Sequence, residues 1–424
     1  MNHADAATPP RHTRKILGIF DWPAQVSPSE KKSLLAGGLG WMLDAMDVML
    51  LSMVLPQIMA ELAIKENIGG LLGLYTLGAS AAGGMLFGFL ADRIGRTRAL
   101  IASILVYSLA SGACALASTF WQLAVFRVIL GLGMGGEWTT GAALIAEVWP
   151  PEHRGKALGL MQSTWAIGEM IAAGVTFLVL DTFGLGWRTV FLVGVTPALI
   201  CLWIRRDVPE SELWLERGKR QGGSLRLMWR PDIRWKGVLA TAMNACGMCG
   251  YWGLFYWMAT YLSKPVAEGG PGLDIARTTV WLLVMGVGKW FGYTLFGFVA
   301  DVIGRRLTYV IYLVAAGSLV AAYGSTSNPA LLLVLGPFVA FFGTGFFSGF
   351  SAIASEMFPT EIRATAMGLT YNIGRGISAL APFVVGVLAV RYTLGAAFVM
   401  LSSAFFAAAV LALALPETKG KHLE

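Results

Sequence analysis

Charge is what this 424-residue chain has least of: 13% of its residues are Asp, Glu, Lys or Arg, 56% are hydrophobic, and the mean hydropathy is +0.65. That excludes a soluble globular protein, which needs far more charge to cover a surface of this size. Histidine is nearly absent too. His3, His12, His153 and His422 all lie outside the interior of the apolar runs, so the interior lacks the commonest general base and metal ligand, and neither an enzyme nor a metal site is expected. There are four cysteines, and Cys246 and Cys249 spell CGMC. Inside an apolar run, with no second pair and no histidine nearby, they fit a buried helical pair better than a redox or zinc site, and they imply no disulfide framework. No glycine-rich phosphate loop stands beside a strand pattern, so no nucleotide or other cofactor is expected. Residues 1–33 lack the continuous apolar core of a cleaved signal and read as a tail that stays on.

What is present is a series of long apolar runs. Twelve lie around 34–55, 70–91, 98–117, 121–147, 157–180, 186–204, 237–262, 278–300, 307–324, 329–355, 364–389 and 394–415. About 20 residues cross a bilayer as helix, and unbroken apolar blocks favour helices over the alternating strands of a barrel. The reading is an all-α integral membrane protein with twelve transmembrane helices. The formal charge of +7 could suggest nucleic acid or an anionic surface, but its placement argues for topology. Arg93, Arg96, Arg98, Arg154, Lys156, the cluster from Arg205 to Lys236, Arg305, Arg306 and Arg363 follow even-numbered runs, which places both termini and the central loop in the cytoplasm, with no nucleic-acid partner.

The chain repeats itself. GFLADRIGRTR at Gly88–Arg98 returns as GFVADVIGRR at Gly297–Arg306, with Asp92 and Asp301, and Gly95 and Gly304, each 209 residues apart. Glu147 and Arg154 stand 209 residues before Glu356 and Arg363. Two matching polar hinges at one spacing imply a parallel duplication of a six-helix unit. The resulting division is 1–33 N-terminal tail, 34–204 first bundle, 205–236 linker, 237–415 second bundle and 416–424 C-terminal tail. Gly88, Asp92, Arg93, Arg96, Glu147 and Arg154, with Asp301, Arg305, Glu356 and Arg363, read as gate or hinge residues, since a plain positive-inside anchor would not need an aspartate in both copies.

Ionisable residues deep in a membrane run are expensive and must face the bundle interior. Asp44 and Asp47 fall near mid-bilayer in the first run, and a spacing of three puts both on one helical face. Arg127 and Glu137 lie in the fourth run, Gln162 and Glu169 in the fifth, Asn244 in the seventh, Lys289 in the eighth and Arg375 in the eleventh. For Arg127 a coupling role and an internal salt bridge weigh evenly, and Glu137 reads as structural. The patch Tyr251, Trp252, Phe255, Tyr256 and Trp257 lies toward the outer end, where an interfacial aromatic belt is expected, with substrate stacking as the alternative.

On these motifs, and on RVILG at Arg127–Gly131, PESELWLERGK after the sixth run and PETKGK at Pro416–Lys421, the chain resembles the major facilitator superfamily over nearly its whole length. PESELWLERGK and PETKGK look like the sugar porter branch, whereas DAMD at Asp44–Asp47 looks like the aromatic-acid, sialate, nicotinate and monocarboxylate:proton symporters. The resemblance implies two six-helix halves rocking about a central site, with Asp92 and Asp301 controlling the inner gate. Val302 stands where the first cassette has Arg93, which implies weaker contacts there. The fifth run lacks the glycine–proline pattern of drug antiporters, and the seventh lacks the paired glutamines of sugar porters. The expected function is a proton-coupled importer of a small organic anion, a monocarboxylate, working by alternating access as a monomer in the cell (inner) membrane. Proton coupling falls to Asp44, Asp47 and Glu169, and substrate binding to Arg375, Lys289, Arg127, Asn244, Gln162 and Tyr256. A sugar or polyol transporter with Gln162 and Asn244 as hydroxyl partners is the alternative.

Overall fold

The computed structural model describes residues 26–149, 151–211, 215, 230–358 and 363–417, and among them every regular element is a helix. The first half contains α1 (Pro28–Glu61), α2 (Glu66–Ile94), α3 (Arg96–Cys114), α4 (Phe120–Val148), α5 (Pro151–Phe177, prolonged by a π turn over Leu178–Thr182), α6 (Trp187–Val193) and α7 (Pro197–Asp207). The second contains α8 (Pro231–Ser263), α9 (Ile275–Ile303), α10 (Arg305–Gly324), α11 (Pro329–Met357), α12 (Arg363–Ser378), α13 (Leu380–Arg391) and α14 (Leu394–Leu413).

Two apolar runs are broken helices. Residues 187–204 form one span made of α6 and α7, and residues 366–391 form another made of α12 and α13. Pro197 opens α7, where its missing N–H interrupts the helical ladder. Counting these pairs once, eleven spans among the described residues are long and apolar enough to cross a membrane. The twelfth, α8, has 33 residues and draws its apolar surface largely from Trp and Tyr, which hydropathy scales score low. Helix α1 starts earlier than the apolar run because a capping box holds it: Glu30 N–H donates to Ser27 Oγ at 3.2 Å, and Ser27 N–H donates to Glu30 Oε2 at 2.8 Å.

The duplication extends to backbone detail. Gly95 and Gly304 end α2 and α9 with φ of +104° and +103°, a region that favours glycine, and each donates its N–H one turn back, to Ala91 and Ala300, at 3.1 Å. In the first half α2 packs along α4, and in the second α9 packs along α11. A Cβ on Gly83 would strike the Leu132 carbonyl, and one on Gly292 would strike the Phe341 carbonyl. Both members of that pair are displaced by the same 209 residues, so bare backbone is required at equivalent points of each half.

The halves meet along three seams, α1 with α8, α2 with α12 and α13, and α5 with α9. The aromatic patch of α8 lies in this interface. Tyr251, Trp252, Phe255, Tyr256 and Trp257 are all buried, so they do not form the interfacial belt that their position along the helix suggests. They face the other half and not lipid.

Candidate functional site

Seven charged side chains are buried among the described residues: Asp44, Asp47, Arg127, Glu137, Glu169, Lys289 and Arg375. Asp44, Asp47, Glu169 and Lys289 come from the middle of α1, α5 and α9, Arg127 and Glu137 from α4, and Arg375 from the last turn of α12 at the break before α13, and they sort into three groups.

The first bridges the two halves. The Lys289 ammonium of α9 forms an ion pair with Glu169 Oε2 of α5. Tyr251 Oη donates to Glu169 Oε1 at 2.6 Å, and Trp165 Nε1 donates to the same oxygen at 2.8 Å. Lys289 Nζ also stands 3.4 Å from the centroid of the Phe255 ring, a cation–π contact. Two charges here satisfy one another in a dry setting, where either alone would be costly. Lys289, expected to hold a substrate carboxylate, is therefore occupied by a carboxylate of the protein itself.

The second group lies within the first half. Asp47 accepts a hydrogen bond from Ser111 Oγ at 3.1 Å, and Arg127 Nε donates to Thr76 Oγ1 at 3.1 Å.

The third group is central: Asp44 of α1, Glu137 of α4 and Arg375 of α12 are buried, and no ion pair joins them. Both oxygens of Asp44, both of Glu137, and Nη1 and Nη2 of Arg375 are buried without a hydrogen-bond partner. Asn244 Oδ1 and Asn372 Oδ1 are unsatisfied as well. Buried polar atoms are almost always bonded, so this group of charged and amide atoms is the candidate site. Gln162 is engaged nearby, accepting from Trp138 Nε1 at 3.3 Å.

Aromatic rings surround the group. Trp138 stacks on Tyr371 across the halves, with centroids 4.3 Å apart and planes 11° apart, and Trp41 lies 4.5 Å from Trp165 and 6.5 Å from Trp138. None of Trp41, Trp138, Trp165 and Tyr371 stands out in the sequence. Their available signal is position, since indole rings at the centre of a span are too deep for a membrane–water anchor.

The end of the bundle opposite the termini is closed by direct contacts between halves. Ser52 Oγ donates to the Tyr256 carbonyl at 2.6 Å, Tyr256 Oη donates to the Gly69 carbonyl at 2.8 Å, and Lys264 Nζ pairs with Glu66 Oε1 at 2.6 Å. The Tyr256 hydroxyl is thus spent on a hydrogen bond from α8 to α2.

At the termini end the first cassette is tied down in two ways. Arg96 Nη2 pairs with Glu147 Oε1 at 2.9 Å, and the Arg96 and Thr97 N–H groups donate to the Glu210 carboxylate at 2.8 and 3.2 Å. The second cassette repeats the cap, with the Arg305 and Arg306 N–H groups donating to Glu417 at 2.9 and 3.2 Å. Glu210 and Glu417, the acids of the two Pro-Glu motifs, therefore accept from the first N–H groups of α3 and α10, whose N-cap residues Gly95 and Gly304 have no side chain to do so, a role that reading the motifs as family markers missed. Arg93 lies 4.2 Å over the Phe89 ring, and Gly88 lies against Thr139. The side chains of Asp92, Arg154, Asp301, Glu356 and Arg363 lie outside the described residues. Replacing Glu210 by Ala is expected to lower stability by about 1–2 kcal/mol, the usual scale for a missing N-cap. Thermal unfolding of the purified variant checks this.

Comparison with known proteins places the chain. A family model described as Major Facilitator Superfamily matches residues 38–270 and 270–424. The chain is similar to a cis,cis-muconate transport protein of Acinetobacter baylyi, 31% identical over 412 residues that cover 94% of this chain and 95% of the relative. It is also similar to a niacin transporter of the same species, 28% identical over 420 residues that cover 91% and 94%. Among solved structures, a D-xylose-proton symporter superposes with a TM-score of 0.74 at 20% identity, over 93% of this chain and 100% of that one.

Proposed function

We infer the function from this premise: the chain belongs to the Major Facilitator Superfamily and is a multi-pass membrane transporter, not an enzyme. On it, we propose a proton-coupled importer of a small organic anion, a carboxylate with a planar or unsaturated body, bound at the centre of the molecule. The single observation that carries this reading is Arg375, a buried guanidinium whose two terminal nitrogens have no hydrogen-bond partner. A guanidinium presents a fork that matches a carboxylate, and one held in the interior without partners is set to receive an anion. Asn244 and Asn372 add polar atoms beside it, and the stacked Trp138 and Tyr371 add flat apolar faces. The relatives' names, muconate and niacin, are of this chemical kind.

The transport cycle follows from the arrangement. The seam of Ser52, Tyr256 and Lys264 closes the end opposite the termini, and the Glu169–Lys289 pair ties the halves at mid-depth. Both must open for the site to reach that side. The basic connections support a cytoplasmic position for the termini end, in a chain that sits in the cell (inner) membrane on this reading. There Asp92 and Asp301, with Arg154, Glu356 and Arg363 of the second pair of hinges, serve as the inner gate. Asp44 carries the coupling proton, because it is buried in the same central group as the guanidinium that holds the anion.

The test is uptake into proteoliposomes of labelled nicotinate and cis,cis-muconate, with the outside made acid. Accumulation that a protonophore abolishes, and that neutral sugars do not compete with, is the expected result. Uptake indifferent to the protonophore, or blocked by xylose and not by carboxylates, would remove the reading.

A further inference from the structure

The buried charges do not balance. Of the seven among the described residues, four are acids and three are bases. Lys289 answers Glu169 in an ion pair, and Arg127 is set against Asp47 in the count, the two bonded to Thr76 and Ser111 and not to each other. What remains is one guanidinium, Arg375, for two carboxylates, Asp44 and Glu137, all three buried and none hydrogen-bonded through its charged atoms. The two acids are held together by the way α1 and α4 pack. Gly40 lies one turn before Asp44 on the same face of α1, and a Cβ there would run into Glu137 Oε1, so the missing side chain is what admits the Glu137 carboxyl against α1. Among the described residues, no side chain or backbone group donates to any of the four carboxylate oxygens.

Little else faces the pair. From α3 comes Tyr107, whose hydroxyl is buried and unbonded, and from α12 comes Tyr371 beside Arg375. Asp47 follows one turn along α1, Arg127 lies further along α4, α2 contributes the apolar Phe87 against Gly136, and α5 contributes Gln162, already bonded to Trp138. An unpaired negative charge in such a place is costly, and two adjacent carboxylates relieve it by holding one proton between them.

We propose that Asp44 and Glu137 share one resident proton in the empty carrier, and that a second proton enters with each carboxylate bound. The proposal deepens the transport reading by assigning its proton site. The balance closes at each step. In the empty state one carboxyl and one carboxylate carry −1, which Arg375 cancels. A bound monocarboxylate adds −1, and one proton from solution, taken by the remaining carboxylate, restores zero. On release the anion and that proton leave together and the resident proton stays. Both forms that must reorient are neutral, and the net movement is one proton per monocarboxylate. Glu137 thereby becomes a proton-carrying residue where the sequence suggested a structural one.

The test needs no ligand. Infrared spectra of the full-length protein at neutral pH should contain the C=O band of one protonated carboxyl per chain that disappears on alkaline titration. The band is expected to vanish in Glu137→Gln and in Asp44→Asn, since each leaves three acids against three bases. It should survive in Asp181→Asn, an exposed site. Absence of the band in the unaltered protein, or its survival in both Glu137→Gln and Asp44→Asn, overturns the proposal. If one variant fails to fold, the other, with the titration of the unaltered protein, still decides. Failure of acid-driven uptake would instead sink the transport reading while leaving the resident proton in place, so the two failures are distinguishable.

Discussion

Replacing Arg375 by Gln is expected to abolish carboxylate binding. Truncating one partner of a buried, hydrogen-bonded charge pair costs about 2–5 kcal/mol, which is roughly 30-fold to several-thousand-fold in Kd. Arg375→Lys should fall between, since it keeps the charge but not the fork that engages both oxygens of a carboxylate. The effect on binding should exceed the effect on folding, because neither Nη atom of Arg375 gives up a protein hydrogen bond and the carboxyl pair it neutralises can take up a second proton in its place. Equilibrium binding of nicotinate and cis,cis-muconate to the purified variants checks it. A Gln variant whose Kd stays within about threefold of the unaltered protein's, a difference of under 1 kcal/mol, would take Arg375 out of the site.

The second large effect concerns Glu169 and Lys289. Glu169→Gln leaves an ammonium buried at 4% exposure with no counter-charge, and Lys289→Met leaves the matching carboxylate. Each single change is expected to destabilise by about 3–5 kcal/mol, the scale for breaking a buried pair from one side. The double variant Glu169→Gln with Lys289→Met should recover most of that stability, because a neutral amide beside a thioether of similar volume leaves no stranded charge. Chemical or thermal unfolding in detergent measures all three. A double variant as unstable as the sum of the singles would mean that the two groups act separately, and that the mid-depth tie between the halves rests on Tyr251 and Trp165 alone.

Much of this was legible in the sequence, for identifiable reasons. The displacement of 209 residues recurs in space because duplicated contacts need duplicated small residues, as at Gly83 with Leu132 and Gly292 with Phe341. Depth along a helix follows from residue count at a fixed rise, so Asp44, Glu169, Lys289 and Arg375 could be placed near the middle before any coordinates. Rotation and partnership do not follow from residue count. Whether Lys289 meets a solute or Glu169 depends on how α5 and α9 face each other across the halves, which one chain's periodicity does not encode. The same gap explains the α8 aromatics. Tyr251 to Trp257 lie at the height of a belt, and only the packing of α8 against α1 and α2 turns them inward. Helix starts fixed by polar caps, such as Ser27 with Glu30, escape a hydropathy window, as does the break before Pro197 inside an apolar run.

Glu137 shows the limit most clearly. One carboxylate in a glycine-rich stretch reads as a lone structural acid. Its significance appears only when α1, through Gly40, meets its carboxyl and burial leaves Arg375 as the one base for Glu137 and Asp44.

Everything proposed for the cargo turns on Arg375 receiving a carboxylate at the centre of the molecule. The most direct measurement is the thermal stabilisation of purified protein by nicotinate compared with its neutral isostere nicotinamide, and by cis,cis-muconate compared with its diamide, at two pH values. An acid of these pairs should raise Tm in the unaltered protein and not in Arg375→Gln, while its amide does nothing in either. Equal stabilisation by acid and amide, or an acid effect that survives Arg375→Gln, would contradict that role.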